Sequence, residues 1–128
     1  MVHFDFPKSH RLLDSGDFQK VFDHAPLRAS HKLFLILARP NGLEHPRLGL
    51  IIAKKHIRLA SDRNRLKRLI RETFRHQQQS LKGIDVIVMA RKGMNQPDNP
   101  NLIVQINGQW RRLARKAQSF SNDLANKG

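Results

Sequence analysis

Six Lys or Arg side chains fall within residues 61–75, SDRNRLKRLIRETFR, at spacings that a single helix can sort onto one side. A guanidinium offers a planar fork that takes two phosphate oxygens at once, and an ammonium adds a more adaptable point charge. The chemistry that suits these residues is phosphate binding. Lys54, Lys55 and Arg58 extend the run to nine cations within the 22 residues 54–75. Asn64 sits between Arg63 and Arg65, where its amide can bond a phosphate, a sugar hydroxyl, a metal-bound water or the local backbone.

Groups that break bonds are far less well marshalled. The chain has ten carboxylates, scattered from Asp5 to Asp123 without the close cluster that two-metal phosphodiester cleavage needs. None of the seven His stands four residues from another, no Cys is present, and no phosphate-cradling GxxxxGK[ST] loop occurs. His56 or His31 acting as a general base is weighed against the commoner surface or turn His, and a self-sufficient nuclease using His and Asp, tested at His56 or Asp62, is the rival reading. Catalytic residues are therefore assigned to none of the side chains, and a metal site is left unassigned. Phe18 and Phe22, four apart, can either stack unpaired bases, at about 1–3 kcal/mol each, or pack into a core. Phe34 carries the same ambiguity, and Trp110 reads as a core anchor.

These residues must be held by regular elements. At about 100° per residue, Leu66, Leu69, Ile70, Thr73 and Phe74 share one side of a helix over residues 61–77. Lys67, Arg68, Arg71 and Arg75 fall opposite, with Arg65 at the edge of their arc, and Ser61 is the expected N-cap. A short helix over 15–24, capped by Ser15 or Asp14, places Phe18, Val21 and Phe22 on one face. Residues 27–30 read as a short strand. Residues 31–39 and 47–54 read as a hairpin pair with a six-residue loop, the first strand being apolar on both faces as if covered on two sides. Gly83 breaks the chain before IDVIVMAR (84–91), the clearest β-branched strand. Pro100 is placed at the first position of a last helix running to about residue 120, weakened by Asn107-Gly108. The arm 1–10 and the tail 121–128 are expected to be loose. This order implies an α+β sandwich, with helices packed on one sheet, in a single domain over 1–128.

The bulk charge fits that emphasis on binding. Lys plus Arg outnumber Asp plus Glu by 24 to 10, a formal +14 on 128 residues. Such an excess costs self-repulsion and is matched by an extended polyanion, of which nucleic acid is the foremost. No apolar run approaches the ~20 residues needed to span a bilayer, and the N-terminus lacks the apolar core of a secretory signal. The expected compartment is the cytoplasm.

Lys54-Lys55, Arg63-Asn64-Arg65-Leu66-Lys67-Arg68 and Arg71-Glu72 together resemble the signature of the bacterial ribonuclease P protein subunit. The block RLLDSGDFQKVF (11–22) and the strand ending IVMARKG (87–93) are similar to that family's flanking blocks, so the resemblance covers about residues 8–117. It implies a two-layer αβββαβα sandwich like a ribosomal protein domain, with a left-handed β-α-β crossover around the basic helix, a rare hand. It also implies a protein that binds a catalytic RNA and the 5′ leader of precursor tRNA, while the RNA cleaves one phosphodiester with magnesium. Outside the ribonucleoprotein such a protein would be monomeric. By resemblance Arg63, Asn64, Arg65, Lys67, Arg68 and Arg71 meet the catalytic RNA. Phe18, Phe22, Phe34, Lys54 and Lys55 match the leader-binding cleft. The chain departs from its relatives in having no Tyr, with Phe34-Leu35-Ile36-Leu37 on the cleft strand, so aromatic stacking there is expected to be thinner.

Overall fold

The computed structural model describes residue 11 and residues 15–126, with side chains at 11 and 16–122. Its order is α1 (Ser15–Asp23), β1 (Leu27–Ser30), β2 (Phe34–Pro40), β3 (Arg47–Ile51), α2 (Ala60–Arg75), β4 (Ile84–Ala90) and α3 (Asn99–Asn126). The αβββαβα sequence of elements expected from the resemblance is thus the observed one. The arm 1–10, Asp14, the cap by the Ser15 side chain and the last two residues lie outside the described residues.

The strands form one sheet in the order β1-β2-β4-β3. This overturns the expected hairpin of β2 with β3. Instead β2 pairs antiparallel with β1 and β4, and β3 pairs in parallel with β4. The physical reason lies in β4: six of its seven residues are buried, so it takes the centre of the sheet and separates β2 from β3. The parallel pairing is made by α2, which carries the chain from β3 across to β4. The only hairpin in the sheet, among the described residues, is β1–β2, closed where the His31 N–H donates to the Phe34 carbonyl at 2.9 Å. That turn delays β2 to Phe34, three residues after the expected start.

Alternation sorts the strands onto two faces. Phe34, Ile36 and Ala38 of β2, with Val86 and Val88 of β4, enter the main core with Leu66, Ile70 and Phe74 of α2 and Leu102, Ile106 and Trp110 of α3. Trp110 is fully buried; its indole Nε1–H donates to Thr73 Oγ1 at 3.0 Å, and its ring meets Phe74 edge-on at 5.5 Å. The expected anchor role of Trp110 and the expected apolar face of α2 both hold. On the other sheet face, Ile87 and Leu37 pack with Val21 of α1. One helix therefore lies across the sheet from the other two. Leu35 and Leu37 are only half-buried, so β2 is fully covered on one side alone.

Two helix ends also differ from expectation. Leu59, with extended backbone and no side-chain cap bond, is the N-cap of α2, which places Ser61 inside the first turn. Arg63 ties the helix to the segment before it: its Nη1 donates to the carbonyls of Ile57 at 3.0 Å and Arg58 at 2.7 Å, fixing the approach to α2. At α3, Asp98 Oδ1 accepts from the Asn101 N–H at 3.0 Å, so Pro100 is the second helical residue rather than the first. The helix passes through Gly108 and continues to Asn126, beyond the expected end, because neither Pro nor Gly occurs between 108 and 128.

Candidate RNA interface

The cations of α2 divide into two groups. Asn64, Lys67, Arg68 and Arg71 line one open groove with Glu72 on the outer side of the helix. Asn64, Arg68 and Arg71 are exposed and Lys67 is half-buried. Burial, with the nearby Arg11 adding to it, pushes the Arg71 guanidinium below its ordinary value, yet an arginine keeps its charge. Arg11, bridged in parallel to Leu48 of β3, belongs to the same cationic field.

The second group is engaged within the protein. Arg63 holds the 57–58 carbonyls as described. Arg65 Nη1 donates to Asn99 Oδ1 at 2.6 Å and its Nη2 to the Asn95 carbonyl at 2.8 Å, bracing α2 against the start of α3. Arg75 is paired with Glu72, which also lies 3.2 Å from His76 Nε2. The hydrogen bond from Arg75 holds the Glu72 carboxyl below the usual carboxylate range, with His76 a lesser cause. Sequence periodicity sees these cations as one ridge; their bonds make Asn64, Lys67, Arg68 and Arg71 the outward set.

The five residues matched to the cleft are not all brought together. Phe34 is fully buried in the main core, on the sheet face away from α1, and stacks on His31 with centroids 4.5 Å apart. Its placement in a leader cleft is therefore corrected: the β2 alternation sends Phe34 inward with Ile36. Phe18 packs, half-buried, on the opposite face beside Leu37, Ile51 and Met89. Phe22 is 41% exposed on the same helix. Lys54 and Lys55 are exposed in the turn just after β3. Register pairs Leu35 with Met89 and Met89 with Ile51, which makes a half-covered apolar strip across three strands below α1. Residue-by-residue matching misses Leu35, Ile51 and Met89, because the strip exists only once β4 lies between β2 and β3.

Ion pairs set α1 over that strip. Asp85, buried on β4, takes Arg47 with both carboxylate oxygens, at 2.8 Å from Nε and 2.7 Å from Nη2, and accepts from Asn41 Nδ2 at 2.9 Å. The Nη1 of Arg47 reaches Asp17 of α1 at 3.3 Å. Arg39 Nη1 donates to the Lys20 carbonyl at 3.1 Å on the same helix. The tie is thus made at one end of the strip, and the other end opens toward Lys54 and Lys55.

Among the described residues no three His, Asp or Glu side chains come together to hold a metal ion. The carboxylates nearest the interface already have partners: Asp17 and Asp85 on Arg47, Glu72 on Arg75, and Asp62 with Asn95 Nδ2 at 3.0 Å. His56 and Asp62 do share a surface hollow with Arg58 and Lys92. His31 instead accepts the Leu33 N–H on its Nδ1 at 3.1 Å. Burial, then Lys32 and Arg91, lower its pKa from the ordinary value.

Comparison with known proteins adds an independent finding. Residues 6–114 match the family model described as Ribonuclease P. The chain is 52% identical over 115 residues to the ribonuclease P protein component of Pseudomonas aeruginosa, covering 90% of this chain and 85% of that one. It is 49% identical over 116 residues to that of Chromohalobacter salexigens, covering 91% of each. Among solved structures it is similar to a Staphylococcus aureus RNase P protein mutant with defective mRNA degradation activity. There the TM-score is 0.72 at 27% identity, over 87% of this chain and 90% of that one. It is also similar to the RNase P protein of Thermotoga maritima, with a TM-score of 0.68 at 31% identity over 79% and 96% of the two chains.

Proposed function

This chain belongs to the ribonuclease P protein family, and from that premise we propose that it serves as the protein subunit of the ribonucleoprotein that removes the 5′ leader from precursor tRNA. The outward cations of α2, Lys67, Arg68 and Arg71 with Asn64, dock the catalytic RNA. Arg63 and Arg65 act chiefly by fixing the helix on which those residues stand. The observation that carries the proposal is the division of the surface: a rigid cationic ridge on one side of the sheet, and an apolar strip ending in Lys54 and Lys55 on the other. Phosphate contacts give affinity and position, and half-buried Phe18 with exposed Phe22 gives unpaired leader bases a place to stack.

Bond breaking is assigned to the RNA with its magnesium. The carboxylates near the interface are held by Arg and Asn partners and do not fit a resident magnesium site, so no step is routed through an ion held by this chain. With no helix long and apolar enough to cross a membrane among the described residues, the proposed setting is the cytoplasm, with a monomeric protein outside the particle. The test is reconstitution. Purified protein should leave precursor tRNA intact, and adding it to the cognate catalytic RNA at low magnesium should raise leader removal. Cleavage indifferent to the protein would overturn the proposal. So would metal-dependent cutting by the protein alone that is lost in His56→Ala or Asp62→Asn.

A further inference from the structure

A second cationic surface lies on α3, and the ridge on α2 does not account for it. From 99 to 122 this helix carries Arg111, Arg112, Arg115 and Lys116 and no carboxylate. Arg111, Arg112 and Arg115 are exposed, and none makes a hydrogen bond or ion pair with another described residue. At about 100° per residue they fall within about 100° of arc, opposite the buried Leu102, Ile106 and Leu113. Lys116 Nζ donates to the Arg28 carbonyl at 2.6 Å, which ties the helix to β1 and fixes the direction of its cations.

Beside them runs a groove of about 480 Å³, with Leu27, Ala117 and Phe120 on its floor and Lys82, Arg115 and Gln118 on its rim. The strand order puts β1 and β3 at opposite edges of the sheet. With α3 packed on β1 and α2 on β3, an RNA segment lying here is separate from one lying on the outer side of α2 or beside Lys54 and Lys55.

We propose that the β1 edge is a second RNA-binding surface. It takes an unpaired segment whose phosphates follow Arg111, Arg112 and Arg115, with one base entering the groove against Phe120. The proposal rests on RNA being the partner. Three features select an unpaired strand. The cations stand on a rigid rod, with Arg111 and Arg115 about 6 Å apart along the axis. No acidic side chain interrupts them. The adjoining hollow has an aromatic floor and an amide on its rim, which suits the π-face and polar edge of a base. An acidic peptide would use the cations but not the aromatic floor.

The full-length chain carrying Arg111→Ala, Arg112→Ala and Arg115→Ala together tests this. Binding to the catalytic RNA is measured across salt concentrations beside Arg68→Ala. At about 0.7 per single-strand phosphate contact, the triple variant should flatten the logarithmic salt slope by about two and weaken binding at least tenfold. The loss should add to that of Arg68→Ala. A triple variant with unchanged slope and affinity overturns the second surface, while a loss in Arg68→Ala alone would leave the α2 ridge standing. Phe120→Leu keeps apolar volume but removes the stacking face, so it should weaken a short oligoadenylate several-fold and spare an RNA duplex. Equal behaviour of both probes would overturn the groove as a base site.

Discussion

The ridge on α2 and the strip under α1 stand on opposite sides of one sheet and are assembled in opposite ways. The ridge is local, since one helix sets the spacing of Asn64, Lys67, Arg68 and Arg71. The strip is non-local, since Phe18, Leu37, Ile51 and Met89 come from one helix and three strands. A substitution on the ridge should change how many phosphates are met and little else. A substitution in or under the strip should act through packing, unless the residue faces outward.

The largest effect expected from this contrast is at Phe34. Phe34→Ala should cost about 3–5 kcal/mol in urea unfolding, as removal of a fully buried aromatic does. The surviving folded fraction should still prefer precursor over mature tRNA. A stable variant that loses only that preference would return Phe34 to the cleft.

Next comes the ion pair that holds α1. Asp85→Ala leaves Arg47 half-buried without its bidentate partner, and breaking such a pair costs about 3 kcal/mol. Hydrogen exchange in α1 should rise more than in α3. Equal protection in both helices would mean that Arg47 and Asp17 do not tether α1.

A finer cut separates two arginines of the same helix. Arg68→Ala should weaken the catalytic RNA about tenfold and lower the salt slope by somewhat under one, at unchanged stability. Arg63→Ala should lose about 1–2 kcal/mol of stability, from its two carbonyl bonds, with a nearly unchanged slope. Matching slopes in the two variants would erase the distinction between outward and braced cations.

The smallest effect is a pH dependence at His31. Its pKa is lowered in the fold, so the unfolded chain takes up the proton first as pH falls. Stability that is complete well above the ordinary His value near 6.5 is therefore lost progressively below it. Protonation of Nδ1 also removes the acceptor of the Leu33 N–H. Thermal melts should show a steeper acid loss for the parent chain than for His31→Asn, and parallel curves would contradict this.

What could be read from the sequence follows the same division. The buried face of α2 is legible because Leu66, Leu69, Ile70, Thr73 and Phe74 repeat at helical spacing, and Val21 sits buried between Phe18 and Phe22 for the same reason. The sheet is not legible in that way. Two apolar strands joined by Pro40-Asn41-Gly42 look like a hairpin, and only the burial of β4 on both faces shows why it must lie between them. Phe34 is misplaced for a different reason: motif position puts it in the cleft, and strand alternation puts it in the core. The bracing of Arg63 and Arg65 is hidden because their partners, the 57–58 carbonyls and Asn95 with Asn99, come from loops and the first residue of α3, which the periodicity of α2 does not describe.

The most direct test of the two-sided surface is the affinity of the reconstituted ribonucleoprotein for precursor tRNA divided by its affinity for mature tRNA. Phe18→Ala should lower that ratio several-fold while binding of the catalytic RNA is retained, and Arg68→Ala should weaken catalytic-RNA binding and leave the ratio alone. A ratio unmoved by Phe18→Ala, or moved equally by both variants, would contradict the account.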